Sequence, residues 1–157
     1  MGPLFDQHLR ALRRDRAARN GPALFLLERA FEDCLERLQL MNRRFGDGLL
    51  IGCPDPAWPS RLPAERVEVA EPGPLFARSA RSQPRNEAEL ELEPQSLDLI
   101  CAVGTLDTAD HLPVLLHGLA FALRSGGLLI GAMSRKRSTK ARSSGVTSVA
   151  LFLRSRP

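Results

Sequence analysis

Lysine is nearly missing from this sequence: the only two, Lys136 and Lys140, stand close to the C-terminus. Cysteine is scarce and odd in number. Cys34, Cys53 and Cys101 are far apart and form no C-x-x-C pair, which points to neither a zinc site nor a disulfide framework. Buried free thiols in a reducing, cytoplasmic setting are the expectation. No apolar run approaches the roughly 18 residues that read as a membrane span. The N-terminus has arginines but no apolar segment ahead of a small-residue cleavage site, so a secretory signal is not expected. An Arg-rich organellar transit peptide is opposed by Asp6, Asp15 and the helical apolar spacing. G-x-S-x-G, G-x-x-x-x-G-K-[ST] and H-E-x-x-H are all missing, and with them three common routes to hydrolysis or phosphoryl binding. His111 and His117 are six positions apart, about 240° around a helix, so they cannot share a metal.

Acids are missing from one end of the chain. The last 24 residues, from Ser134, hold Arg135, Lys136, Arg137, Lys140, Arg142, Arg154 and Arg156 and no Asp or Glu. With those seven set aside, 15 basic residues face 18 acids, so residues 1–133 carry −3 although the whole chain carries +4. Nucleic-acid affinity would therefore belong to this tail alone, and Phe152 is its only aromatic for base stacking.

What is present is patterned. The 157 residues fit one domain. Residues 4–19 place Leu4, Phe5, His8, Leu9 and Leu12 at helical spacing, which predicts a helix docking by that side with its arginines solvated. In a second helix Leu24, Leu27, Phe31, Cys34, Leu38 and Met41 make one apolar stripe, with Asn20 as its cap and Pro22 in its first turn. Then "LLIGC" (49–53), "ERVEVAE" (65–71), "SLDLICAV" (96–103) and "LLIGAM" (128–133) read as strands. A helix capped by Asp110 and ended by "SGG" (125–127) precedes the fourth. Pro54, Pro56, Pro59 and Pro63 restrict the first crossover helix to a single turn or none. Residues 77–96 read as a long mobile surface segment, with Glu87, Glu89, Glu91 and Glu93 on a solvated face. Strands alternating with helices imply a parallel α/β sheet with right-handed crossovers. The expected division is N-terminal helices (1–46), a shortened core (47–133) and a basic tail (134–157). In that tail "GVTSVALFL" can add an edge strand.

The order and spacing of "FDQHLRALRRDRAA", "FLLERAFEDCLERLQLMNRRF", "PQSLDLI" and "DHLPVLLHGLAFALRSGGLLIGAM" carry a family resemblance. Over about residues 1–134 the chain resembles a class I S-adenosylmethionine-dependent methyltransferase. It is most similar to the group related to the malonyl-carrier-protein methyltransferase of biotin synthesis and to a complex I assembly factor. The resemblance implies a Rossmann-like, partial doubly wound parallel sheet with N-terminal helices, and S-adenosylmethionine as cofactor. It places Gly52 where the backbone approaches the methionine end of the cofactor, and Glu71 where the ribose hydroxyls are accepted. Asn86 or Glu87 falls near the adenine amine, and Cys101 to Gly104 face the site.

The same comparison shows departures. Leu50 stands where the family has an acid, and Pro54 and Pro56 replace glycines. Proline offers no amide and fixes φ near −65°. The tryptophan usual after the third recognised strand is missing from "TLDTADHLP". The expectation is a degenerate methyltransferase, catalytically weak or silent, acting through a protein partner or self-association beside an uncovered "LLIGAM" edge. The alternatives are an active methyltransferase on a small molecule or protein, and a tail that binds nucleic acid or an acidic surface.

Overall fold

The computed structural model describes residues 6–21, 24–135 and 147–154, and for 134–135 and 147–154 the backbone alone. Its centre is a sheet in the order β2-β1-β3-β4-β5, with β1 (Phe45–Ile51), β2 (Ala64–Ala70), β3 (Leu97–Val103), β4 (Leu123–Arg135) and β5 (Thr147–Arg154). The first four strands are mutually parallel, and β5 runs antiparallel to β4. The strands are short continuous apolar runs because both faces are covered. Leu50, Leu99, Cys101 and Ile130 point to one face, against Phe31, Cys34 and Leu38 of α2 (Phe25–Leu40). Leu49, Ile51, Ile100 and Leu129 point to the other, against Leu106 and against Leu119 of α5 (Leu112–Ala122). This is the α/β parallel architecture that the alternating pattern predicts.

The first crossover holds one helical turn, α3 (Trp58–Arg61), as four prolines require. Its Trp58 is fully buried and stacks on Phe31 at 4.2 Å, and the indole N–H donates to Glu28 at 2.7 Å. Arg61 also pairs with Glu28. Burial alone would raise the Glu28 carboxyl, but the bonds from Arg61 and Trp58 outweigh it and hold it below the ordinary value.

Several expectations change. Asn20 does not cap α2: its own amide donates to Arg16 and closes α1 (Gln7–Arg19), while Leu24 stands at the α2 cap without a side-chain bond. Pro22, Leu4 and Phe5 lie outside the described residues. Met41 is exposed. The 77–96 region carries more structure than its polarity suggests. α4 (Pro74–Ser79) leads into it, Pro84 bridges in parallel to Glu71, and a 3-10 turn spans Glu87–Glu89. Glu89, Glu91 and Glu93 are solvated, but Glu87 is buried. His111, not Asp110, stands at the N-cap of α5, and that helix ends at Ala122. "SGG" instead forms an irregularity inside β4, where the pairing slips between Leu97↔Leu123 and Leu99↔Leu128. The edge of "LLIGAM" is not bare, because residues 147–154 pair along it from Arg154 to Thr147. An edge already satisfied in hydrogen bonds loses the reason to self-associate. Among the described residues no helix is long and apolar enough to cross a membrane.

The largest reversal is in α1. The side with Gln7, Arg10, Arg14 and Asp15 faces the protein; Leu9 and Leu12 are 42% and 50% exposed, and His8 is exposed. The helix docks by its charges because the surface beneath it is two buried carboxylates.

Candidate functional site

Parallel strands bring their C-terminal ends to one edge of the sheet, and the segments leaving them build the site. Gly52 leaves β1 with φ +83°, and its amide donates to Ala70. A Cβ there would lie 2.5 Å from the Val103 carbonyl, so neighbouring strand ends already demand glycine. Gly104 leaves β3 with φ +67°, and a Cβ would meet Leu27 at 2.5 Å. Both glycines therefore stand at the C-terminal edge of the sheet, where the fold itself requires them.

Glu71 ends β2 and is fully buried. Arg14 reaches it with a two-pronged contact, Nε to Oε1 at 2.5 Å and Nη2 to Oε2 at 2.6 Å. The Cys53 amide donates to Oε2 and the Gly73 amide to Oε1, both at 2.7 Å. A carboxylate has about four lone-pair sites, and here all are taken from within the chain.

Glu87 is the second buried carboxylate. Arg10 Nη2 lies 2.5 Å from its Oε1, an ion pair by distance, yet neither oxygen receives a well-aligned hydrogen bond among the described residues. Arg10 also donates to the Thr105 carbonyl at 3.2 Å. Asn86, half-buried, caps the 3-10 turn by accepting from the Ala88 amide at 3.2 Å. Gly52, Glu71, Glu87 and Gly104 thus share one edge. Cys101 does not join them. Its free thiol lies in the core on the α2 side, hydrogen-bonded to the free thiol of Cys34, and that hydrogen bond together with burial pushes it well above the ordinary value.

The loop between β1 and α3 is wound on itself. The Asp55 carbonyl accepts from Cys53 Sγ and from the Trp58 amide, and its carboxylate from the Ala57 amide. Gly52, Cys53, Ala57 and Trp58 have spent their amides, and Pro54 and Pro56 have none. At most the Asp55 amide remains for a ligand. The buried Cys53 thiol is pushed up to about 12 by desolvation, then by the charge of Glu71. It is no nucleophile at neutral pH. Leu50, at the family's acid position, is wholly buried against α2 and α3, where a carboxylate would have no partner.

Two features were not legible in the sequence: Arg10 and Arg14 as the partners of the buried acids, and Asp15, which accepts from the Leu75 amide at 2.9 Å. Positions 7, 10/11, 14 and 18 share a helix face, but nothing local marks that face as the inner one. Above the strand ends, between α1 and the start of α2, lies a cavity of about 550 Å³. Leu9, Arg13, Leu24, Leu27, Phe76 and Gly104 line it. That volume is within the usual range for a small-molecule site.

With α1 seated, the residues do not fit S-adenosylmethionine as the resemblance would have it. The acid meant for two hydroxyls is saturated, and the loop has almost no amides to give.

No family model matches the chain. No curated protein matches it either. Solved structures do. An S-adenosylmethionine-dependent methyltransferase from Thermotoga maritima superposes with a TM-score of 0.59 at 23% identity, over 80% of this chain and 62% of that one. A methyltransferase-like protein solved with the Trm112 methyltransferase activator of Haloferax volcanii gives 0.63 at 18%, over 76% and 59%. The N-methyltransferase NodS of Bradyrhizobium japonicum, solved with S-adenosylhomocysteine, gives 0.54 at 22%, over 66% and 60%. The chain thus spans about 60% of the length of these proteins. Its fold is the Rossmann-like α/β fold of S-adenosylmethionine-dependent methyltransferases.

Proposed function

We propose that this chain is a class I methyltransferase-like protein with a degenerate cofactor site, weak or silent in catalysis, that acts through a protein partner. The order of its sequence motifs favours the group of the malonyl-carrier-protein methyltransferase and the complex I assembly factor. In this reading Glu71 is the former ribose acceptor, and Gly52 and Gly104 frame the cofactor. Asn86 and Glu87 stand on the adenine side. The observation that carries the reading is the saturation of Glu71 by Arg14 and two backbone amides. Two or three lost contacts at about 1–3 kcal/mol each lower affinity by several decades. The partner is supported by the neighbour held in complex with an activator. It is supported also by Val114 and Phe121, 71% and 62% exposed and two turns apart on α5.

Calorimetric titration with S-adenosylmethionine and its demethylated product tests this. The expected dissociation constant is weaker than about 100 μM. Tight wild-type binding abolished by Glu71→Ala would return the protein to the working enzymes.

A further inference from the structure

We propose that α1 is an autoinhibitory latch: its docking and the binding of a ribonucleoside ligand at the strand ends are mutually exclusive, because Arg14 and a vicinal diol need the same carboxylate. The inference rests on the reading of Glu71 as a former hydroxyl acceptor, and adds what now fills it.

Three observations carry it. First, the guanidinium fork of Arg14 supplies both side-chain donors to Glu71. A ribose diol would supply two O–H donors to the same two oxygens, so one must leave before the other enters. Second, α1 is fastened as a removable part would be. Its leucines are half-exposed, and the described hydrogen bonds and ion pairs that hold it down include Arg14 on Glu71, Arg10 on Glu87 and Asp15 on the Leu75 amide, with the Arg14 guanidinium also 5.5 Å from the Phe76 ring centre. A helix packed by an apolar stripe would lift only with loss of core; at Glu71 this one exchanges one pair of donors for another. Third, the seat is shaped for it. A Cβ on Gly73 would lie 2.9 Å from Arg14 Cβ and 3.0 Å from Glu71 Oε1, so glycine at 73 is what lets α1 come down. The φ of Gly73 is −83°, a backbone that alanine adopts freely. The cavity beside Arg14 gives a ligand an approach. A latch lowers apparent affinity by the fraction of molecules in which it is open.

The test uses the full chain, S-adenosylhomocysteine as the probe, calorimetry and hydrogen exchange of residues 7–19. Gly73→Ala crowds the Arg14 Cβ and the Glu71 Oε1 without changing the charge of either, and Arg14→Lys keeps the charge but loses the fork. Each is expected to tighten binding at least tenfold and to raise exchange in α1. In the wild type, millimolar ligand is expected to raise exchange in α1 as the site fills. Unchanged or weaker binding by both variants, or α1 exchange that stays constant or slows as ligand binds, would overturn the latch. Weak wild-type binding with those outcomes leaves the degenerate-site reading standing on the proline loop alone. Tight wild-type binding with rising α1 exchange would remove that reading and keep the latch.

Discussion

The two ends of this sheet each carry a network of acids and arginines, and the two do different things. At the end where the strands begin, Asp47 accepts from Arg66 at 2.7 Å and from Arg124 at 3.0 Å. Arg124 also donates to Asp98 at 2.8 Å, and Asp98 accepts from the Asp47 amide at 2.9 Å. These groups keep contact with solvent, the arginines more than Asp47 and Asp98. They hold neighbouring strands in register and are screened by water and salt. At the end where the strands finish, Glu71 and Glu87 are fully buried, and the arginines reach them from a helix some sixty to eighty positions away in sequence. Buried charges must be paired, so that pairing dictates which face of α1 turns inward. The same chemistry is a fastening where it is wet, and a determinant of architecture where it is dry.

The sharpest way to break the contrast is to remove one partner at each end. Arg14→Met leaves Glu71 buried without its counter-charge, held by two amides only, and is expected to cost about 3–5 kcal/mol in urea denaturation. Replacing both, Arg14→Met with Glu71→Leu, is expected to recover only part of that, because the Cys53 and Gly73 amides then lose their acceptor. Arg124→Ala at the wet end is expected to leave the midpoint near wild type, and the small change should vanish at high salt. A dry-end cost no larger than the wet-end one would erase the distinction.

The glycines give a second pair. Gly52→Ala puts a methyl group against the Val103 carbonyl in a backbone with φ +83°, and about 3 kcal/mol is expected. Gly46→Ala at the wet end meets only the Asp98 Oδ2 tip, at 2.9 Å. That oxygen accepts from the Asp47 amide and from Arg124, so it moves only at the expense of those partly exposed bonds, and about 1 kcal/mol is expected. Thermal melts of the two variants compare them directly.

The smallest effect is in pH. The bonds from Arg66 and then Arg124 hold the Asp47 carboxyl below its ordinary value. A carboxyl depressed in the folded state contributes stability above its unfolded value, about 3.9, and loses it as pH falls through the folded value. Asp47→Asn should therefore differ from wild type near neutrality, begin to converge with it as pH falls below about 4, and meet it only below the depressed folded value, in melts run across pH 2–7.

The parts that follow from local rules were legible in the sequence. Period and propensity mark β1 to β4, α2 and the single-turn α3, because apolar runs, stripes and prolines act on their own neighbours. The strand at 147–154 is also legible, from β-branched and apolar residues. What was not legible depends on distant partners. Leu9 and Leu12 look like a docking face until Glu71 and Glu87 are seen beneath Arg14 and Arg10. Glu87 looks like one of four solvated acids until Pro84 ties its segment to Glu71. Cys101 is on the right strand, but the two-residue period turns it toward Cys34. Of the candidate site, Gly52, Glu71, Glu87 and Gly104 came from the family resemblance, and the arginines that close over the two acids came from neither the resemblance nor the residue pattern.

The central claim is that Glu71 is saturated from within. Amide and guanidinium exchange measured by nuclear magnetic resonance on the ligand-free protein tests it most directly. The Arg14 Nε–H and the Cys53 and Gly73 amides are all expected to be protected far beyond exposed loop groups, and Glu71→Gln to weaken the three together. An Arg14 Nε–H exchanging at the rate of a solvated arginine, with the two amides still protected, would show an open carboxylate and contradict it.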